Sequence, residues 1–409
     1  MMRVVNFYIL VISAILLLYP HSSTQAQSVL ESNNLTVNRA GLMLNSDSKL
    51  NIGGYGQVDY NQPVGNGNTG NGKLDVHRIV LLFGYRFTNK LSFVTEIEVE
   101  HVSEVYIEQA FFNYAFNTYF SLRGGLMLIP MGIINEYHEP PTFNGVERPL
   151  IDKYIAPTTW REIGIGATGT IPEVSMRYQA YLVNGFKSYA DGRGYLDGSN
   201  GLRKGRQKGA ESMFFFPSVS ARLEYYGILG LNIGLSGYFG KTQSSKFNAI
   251  ERQDNLAVAS ADSSVVGISM VGADVRYNRK GLVARAQVYY TSISNTRQYN
   301  YFTTVEGQPN DLGSSMYGYY VEFSYNLFKP VRKIKSELIP FIRFSQYDTQ
   351  ATVDSEIGKD SSYQTTAITV GIGYWFISQL ALKTDVQFLK KGNAGDYKAM
   401  FNAGIAVMF

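Results

Sequence analysis

The chain has 409 residues, 37 Lys and Arg against 33 Asp and Glu, a formal net charge of +4 and no cysteine. So mild a charge excludes the basic stripe of a nucleic-acid-binding domain, and no disulfide framework is available. Thirty Tyr, 24 Phe and 40 Gly beside a hydrophobic share of only 45% argue against the two or three soluble domains this length would otherwise suggest.

Arg3 precedes an apolar run from Val4 to Tyr19, and the polar stretch after Pro20 closes on Thr24-Gln25-Ala26, a small-x-small pattern followed by Gln27. That order predicts a secretory signal peptide over 1–26. Residues 27–49 are expected to form a periplasmic N-terminal segment, with a plug inside a barrel as the alternative. No later segment offers the ~20 apolar residues of a membrane helix. The longest, Gly124 to Asn135, is too short and carries Pro130 and Gly132.

From Leu50 onward apolar and polar residues alternate with period two, which an amphipathic helix cannot produce. In the last segment Tyr397, Ala399, Phe401, Ala403, Ile405, Val407 and Phe409 share one face. Leu282, Ala284, Ala286, Val288 and Tyr290 likewise oppose Val283, Arg285, Gln287 and Tyr289. The pattern predicts about 16 strands: 50–60, 74–87, 91–100, 104–115, 118–128, 160–169, 173–185, 213–225, 229–239, 265–277, 281–292, 315–327, 336–347, 363–376, 379–389 and 397–409. Short connections such as Thr88-Asn89-Lys90 and Asn278-Arg279-Lys280 alternate with long polar ones at 61–73, 129–159, 186–212, 240–264, 293–314 and 348–362.

Short turns on one side, long loops on the other and an even strand count predict an all-β, transmembrane antiparallel β-barrel over 50–409 with periplasmic turns and extracellular loops. Its place is the outer membrane of a Gram-negative bacterium, among outer-membrane lipid and lipopolysaccharide. A propeller would repeat every 40–50 residues, and no such repeat is present. Aromatics gather near strand ends, as in Tyr374-Trp375-Phe376, and the polar face is rich in Arg, Glu and Gln, which suits a wet lumen.

An Arg or Lys on the lipid face near the midplane costs ~2–4 kcal/mol, so mid-strand charges should point inward. By parity the pore-lining charges are Arg78, Arg86, Glu96, Glu98, Arg123, Arg177, Arg222, Arg276, Arg285 and Lys383, with Glu224, Asp274 and Asp385 among the other acids. The strands around Glu108 and Arg343 leave their faces ambiguous. Inward bases outnumber inward acids slightly, which predicts a mild preference for anions. The alternative is that the charges hydrate the lumen and brace one another.

Loop 129–159 is the longest stretch without strand periodicity, and loops that long are usually functional. It is the expected constriction loop, folded into the lumen. Glu147, Arg148 and Lys153 are its candidate residues: Arg148 and Lys153 would touch solute, or Glu147 and Arg148 would pin the loop to the wall. Glu136, His138 and Glu139 fit no ligand frame, so no metal and no cofactor are expected. The basic cluster Arg203, Lys204, Arg206 and Lys208 in loop 186–212 either gathers anions at the mouth or is merely solvated.

Gly65-Asn66-Gly67-Asn68-Thr69-Gly70 satisfies the dinucleotide string but opens no helix, so it reads as a loop. Past the signal segment the histidines are His77, His101 and His138; His77 has lipid-facing parity, and no serine sits in a nucleophile elbow. An enzyme is therefore not expected. The readings that compete with a porin for small hydrophilic solutes are a plugged or closed barrel acting as adhesin or scaffold and, behind it, a barrel hydrolase. Sixteen strands favour an aqueous channel.

Three stretches carry a family likeness. Val105-Tyr106-Ile107-Glu108-Gln109-Ala110-Phe111-Phe112-Asn113-Tyr114, after Asp75 to Glu100, resembles the early hairpins of the phosphate-selective porin O and P family. Gly125-Leu126-Met127-Leu128-Ile129-Pro130-Met131-Gly132 resembles its strand leading into Pro-Phe-Gly, with Met131 in place of Phe. Phe143-Asn144-Gly145-Val146-Glu147-Arg148-Pro149 resembles its Phe-x-Glu-Arg-Pro stretch with one extra residue. The resemblance implies a sixteen-stranded homotrimer whose third loop enters the lumen, with small anionic or neutral solutes, phosphate among them. The closing aromatic Phe409 resembles the signature that the barrel-assembly machinery reads.

Overall fold

The structure is a computed structural model that describes residues 38–409 except 45, 47, 66–69, 249, 252, 332, 393 and 394. The expected signal peptide and the start of segment 27–49 lie outside the described residues.

Sixteen strands make the wall: β1 (Leu50–Val64), β2 (Lys73–Arg86), β3 (Leu91–Glu100), β4 (Glu104–Ala115), β5 (Ser121–Leu128), β6 (Arg161–Ile171), β7 (Met176–Val183), β8 (Ser218–Ile228), β9 (Leu231–Lys241), β10 (Gly267–Arg279), β11 (Leu282–Ser294), β12 (Ser315–Tyr325), β13 (Glu337–Thr352), β14 (Gln364–Ile377), β15 (Leu380–Lys391) and β16 (Lys398–Met408). Each pairs antiparallel with the next, and β1 pairs with β16 to close the barrel, with Tyr55 opposite Met408 and Val64 opposite Ala399. Phe409 seals the seam: its N–H donates to the Gly54 carbonyl at 2.9 Å and its carbonyl accepts from the Gly54 N–H at 3.0 Å. Closure leaves no unpaired edge, the condition for sheet in a bilayer.

The direction of the faces, which period two alone leaves open, is decided by exposure. In β8 Leu223 is 41% exposed while its neighbours Arg222 and Glu224 are 3% and 5% exposed. Ile79, Leu81, Ile163, Ile165, Ile342, Phe344, Ile405 and Val407 are also exposed. An apolar outside around a charged inside is a wall solvated by lipid. Aromatic pairs ring the short-turn end: Tyr85 with Phe87 at 4.9 Å, Tyr114 with Phe116 at 4.7 Å and Tyr374 with Phe376 at 4.7 Å. This is an outer-membrane β-barrel.

Two register shifts change which side chains look inward. The pairing of β1 with β2 slips between Gln57 and Val58, leaving His77 without a partner between Val76 and Arg78. His77 therefore turns inward beside Arg78 and lines a lumen cavity, not the lipid face its parity predicts. The pairing of β3 with β4 slips between Glu96 and Ile97, so Glu108 is the extra residue and both Glu108 and Gln109 are buried inside. Both shifts are β-bulges, which put two consecutive side chains opposite one.

The long loops carry structure of their own. Lys187–Ala190, Arg193–Gly194 and Gln243–Ser244 form a small sheet over the long-loop end. Of the helices, α1 (Arg39–Leu44) precedes the barrel, α2 (Ile151–Tyr154) lies in the loop after β5, α3 (Asn255–Ser263) follows β9, and α4 (Thr296–Phe302) follows β11. The Asp254 side chain caps α3 by accepting from the Leu256 and Ala257 N–H groups. The expected strand at 213–225 starts only at Ser218, because the Met213 and Phe215 N–H groups are taken by Gln207 and Gln243 and Pro217 has none to offer a ladder.

Candidate functional site: the loop across the lumen

The chain leaves β5 at Leu128 and returns in β6 at Arg161, and between them it crosses the barrel interior. It leaves the wall through Gly132, where φ is +67° and a Cβ would collide with the Tyr289 hydroxyl. Opposite, the Ile133 N–H donates to Gln287 Oε1 at 2.6 Å, and Asp152 Oδ1 accepts from Gln287 Nε2 at 2.7 Å and from the Tyr289 hydroxyl at 3.2 Å. Both legs of the loop are thus tied to β11. Ile133, Ile134, Phe143, Ile151 and Ile155 join Trp160, Phe186 and Tyr238 in a core inside the barrel mouth.

Buried loop carbonyls need donors, and the wall's cations supply them. Lys383 Nζ donates to the carbonyls of Phe143 at 2.6 Å, Gly145 at 3.1 Å and Pro140. Arg343 reaches the Asn144 carbonyl at 2.6 Å and the Glu147 carbonyl at 3.2 Å, and Arg285 the Thr142 carbonyl at 2.8 Å. In return the Val146 N–H donates to Asp385 Oδ2 at 2.7 Å and Asn144 Nδ2 to Glu322 Oε1 at 2.9 Å. On the facing wall His138 Nε2 lies 3.3 Å from Glu96 Oε1 and 3.2 Å from Glu108 Oε2. Glu136 Oε1 accepts from Gln179 Nε2 at 2.6 Å. The loop is braced from every side.

Several of the remaining inward charges meet one another, and the others meet hydroxyls, amides or backbone carbonyls. Arg78 lies 3.0 Å from Glu98 and 3.3 Å from Glu100; Arg222 holds Asp274 through two bonds at 2.7 and 3.0 Å; Arg177 and Arg276 share Glu224 at 2.5 and 2.9 Å. Arg123 donates to the Tyr181 hydroxyl at 3.0 Å with Phe111 beneath it, and Arg86, near the short-turn rim, donates to the Ser46 carbonyl. Glu96 accepts from the Tyr55 hydroxyl at 2.7 Å and from Gln109 at 2.6 Å. Glu147 and Arg148 do not pair: Glu147 accepts from Asn61 at 3.1 Å and Arg148 donates to the His138 carbonyl at 2.8 Å. Lys153 is exposed and lies over the Tyr154 ring. Glu322, which the sequence analysis does not single out, and Arg343, whose face it leaves ambiguous, lie 2.6 Å apart inside the barrel, with Ile342 and Phe344 exposed on the other face; Glu108 is hidden by its bulge.

Space remains on both sides of the loop. At the short-turn end α1 packs against the inner wall, with Met43 against Gly84 and the Arg39 N–H donating to Glu139 Oε1 at 3.1 Å. A cavity of about 370 Å³ there is lined by Arg39, Arg276 and Arg285 against Glu139. A second, about 520 Å³, has Arg123, Arg177 and Arg222 against Glu136 and Glu224. Toward the long loops, about 530 Å³ is lined by Lys73, Arg78, Arg148, Lys153 and Arg203 against Asp75, Glu100 and Glu147. At the rim, about 570 Å³ has Arg193, Arg203, Lys204, Arg206 and Lys208 against Asp197. Each of these four cavities carries more Lys and Arg than acid. Burial also pushes the Asp152 carboxyl up to about 7, despite its two hydrogen bonds.

No family model matches the chain. An "uncharacterized protein" of Aquifex aeolicus (strain VF5) is 34% identical over 346 residues, which are 82% of this chain and 74% of that protein. The chain belongs to that protein's family. Among solved structures, the anion-selective porin from Comamonas acidovorans aligns over 88% of this chain and 99% of its own with a TM-score of 0.56 and 13% identity. In-vitro folded OmpT in its trimer form, an outer membrane protein of Vibrio cholerae, aligns over 88% and 99% with a TM-score of 0.51 and 11% identity. At such identities the likeness is one of fold: this family member has the porin-like sixteen-stranded barrel.

Proposed function

We propose that the protein is an outer-membrane porin, a channel for passive diffusion of small hydrophilic solutes with a mild preference for anions. The surplus of Lys and Arg around each of the four cavities on the two sides of the crossing loop carries this reading. A charged, low-dielectric passage concentrates counter-ions, and rings of Arg and Lys favour anions. The loop 129–159 is the constriction; Lys153 and Arg148 face the solute while Lys383, Arg285 and Arg343 hold the loop. Phosphate is the solute that the family resemblance adds, and the fold neighbour from Comamonas acidovorans is itself an anion-selective porin. A homotrimer follows from the resemblance and from the trimer form of the Vibrio cholerae barrel. The test is a reversal potential across a potassium chloride gradient in planar bilayers: chloride should be the more permeant ion, and a clear cation preference refutes the anion reading.

One observation favours a second reading. Helix α1 sits against the inner wall beneath the loop, with Asn38 lining both inner cavities, which suits a plugged barrel. Absence of conductance in any salt would establish it.

A further inference from the structure

The spacing of Glu136, His138 and Glu139 predicts no metal frame, and the structure sends the two glutamates elsewhere: Glu136 to Arg222 and Gln179, Glu139 to the Arg39 N–H. His138 instead meets two glutamates from the wall. Its Nε2, Glu96 Oε1 and Glu108 Oε2 all lie within 4.8 Å of one another, with Nε2 to the two oxygens at 3.3 and 3.2 Å. We infer that Glu96, Glu108 and His138 form a binding site for a divalent first-row transition metal ion, zinc being the best fit, which clips the crossing loop to the barrel wall.

Four observations support it. Donors bound to one tetrahedral ion at ~2.0–2.1 Å stand roughly 3.3 Å apart, which is the separation of His138 Nε2 from each of the two carboxylate oxygens. His138 Nδ1 lies 3.1 Å from the Asn135 carbonyl; a proton donated there leaves Nε2 as the metal-facing lone pair, the usual outer contact of a ligating imidazole. The Tyr55 hydroxyl lies 2.7 Å from Glu96 Oε1 and 3.2 Å from Glu108 Oε2 and orients both carboxylates. The fourth is a missing partner. Glu108 is wholly buried and no N–H or hydroxyl reaches its Oε1: its side-chain neighbour is a second carboxyl, Glu98, and Arg78 turns to Glu98 and Glu100.

Charge points the same way. Glu96, Glu98 and Glu108 are buried together with Arg78 and His138. A neutral His138, the Glu96 and Glu108 carboxylates and a dication balance, so an ion bound there adds no net charge to a desolvated place. One imidazole with two carboxylates suits zinc; calcium and magnesium prefer all-oxygen shells. The bulge in β4 is what permits the site, since without it Glu108 would point into lipid.

The test uses the full-length folded protein in detergent, its fold checked by heat-modifiable gel mobility. After stripping with chelator it is dialysed against zinc, freed of loose metal and assayed by elemental analysis. One zinc per chain is expected, with an X-ray absorption spectrum showing N/O donors and the scattering of a single imidazole. His138→Gln and Glu108→Gln should each weaken binding by at least tenfold, while Glu136→Gln should not. Folded wild-type protein that retains no zinc overturns the site, as does a zinc spectrum without imidazole. So does equal retention by either folded ligand variant. Because His77 and His101 also face carboxylates, a variant with both changed to Gln should keep its zinc and the single-imidazole spectrum; loss of either overturns the site even if both ligand variants misfold.

Discussion

The ammonium of Lys383 in β15 donates to the Phe143 carbonyl at 2.6 Å and the Gly145 carbonyl at 3.1 Å, so a wall lysine ends in the loop backbone and not in open solvent. Burial of an ammonium is tolerable only with such partners, and the carbonyls in turn have few other donors nearby, since Pro140 and Pro141 contribute no N–H. Replacing Lys383 with Met removes the donors of three buried carbonyls at ~1–3 kcal/mol each. The loop should undock without loss of the barrel: single-channel conductance rises and becomes noisy, while heat-modifiable mobility persists. Unchanged conductance and noise in folded Lys383→Met would show that this anchor is dispensable.

Loop docking should also depend on pH through Asp152. Burial raises its carboxyl from its ordinary 3.8 to about 7, so the docked loop favours the neutral acid. That contribution is fully present below about pH 4 and is lost as pH rises through about 7. Protease cleavage of the loop, or conductance noise, should therefore increase from pH 6 to pH 8. Asp152→Asn, which keeps an oxygen for Gln287 and Tyr289, should flatten the profile. A wild-type profile already flat over that range would refute the role of Asp152.

Much of this barrel is readable in period two, and the exceptions share a cause. Leu223 between Arg222 and Glu224 gives the face correctly because that strand has no irregularity in its middle. His77 and Glu108 defeat parity because each sits at a bulge, where one extra residue turns two neighbours inward. Arg285 and Lys383 are readable as inward but not as loop anchors, because their partners are carbonyls some 140 or more residues away in the chain. Helix α1 gives too short a pattern to read, and what holds it is Met43 against the wall at Gly53 and Gly84, a contact that no local propensity encodes.

That contact makes a separate prediction. Deleting residues 38–44 removes α1 and frees Glu139 from the Arg39 N–H. If α1 narrows the passage, conductance should rise while the sign of the ion preference stays the same. If α1 is a plug, a silent wild type should become conductive. Equal conductance with and without the helix would show that it obstructs nothing.

The last prediction separates charges that bind the loop from charges that meet solute. Arg206 donates to the Thr158 carbonyl and lies 3.2 Å from Thr159 Oγ1, so its loss would disturb the loop. Lys153, Arg193 and Lys204 are exposed at the outer cavities, and Lys204 has only a loose contact of 3.6 Å with Asp197. Changing these three to Gln should leave folding and heat-modifiable mobility intact while removing field from the mouth and from the outer side of the crossing loop, where Lys153 lies. The ratio of chloride to potassium permeability should fall toward one, and the fall should depend on salt. At 0.15 M the field of a fixed charge reaches about 8 Å, whereas at 1 M it reaches about 3 Å and the mouth is screened in both proteins. Wild type and variant should therefore differ at low salt and converge at high salt. A difference that survives 1 M salt would mean that the substitutions altered the constriction itself. No difference at low salt would place the selectivity deeper, at the cavities lined by Arg276, Arg285 and Arg123 beside the crossing loop.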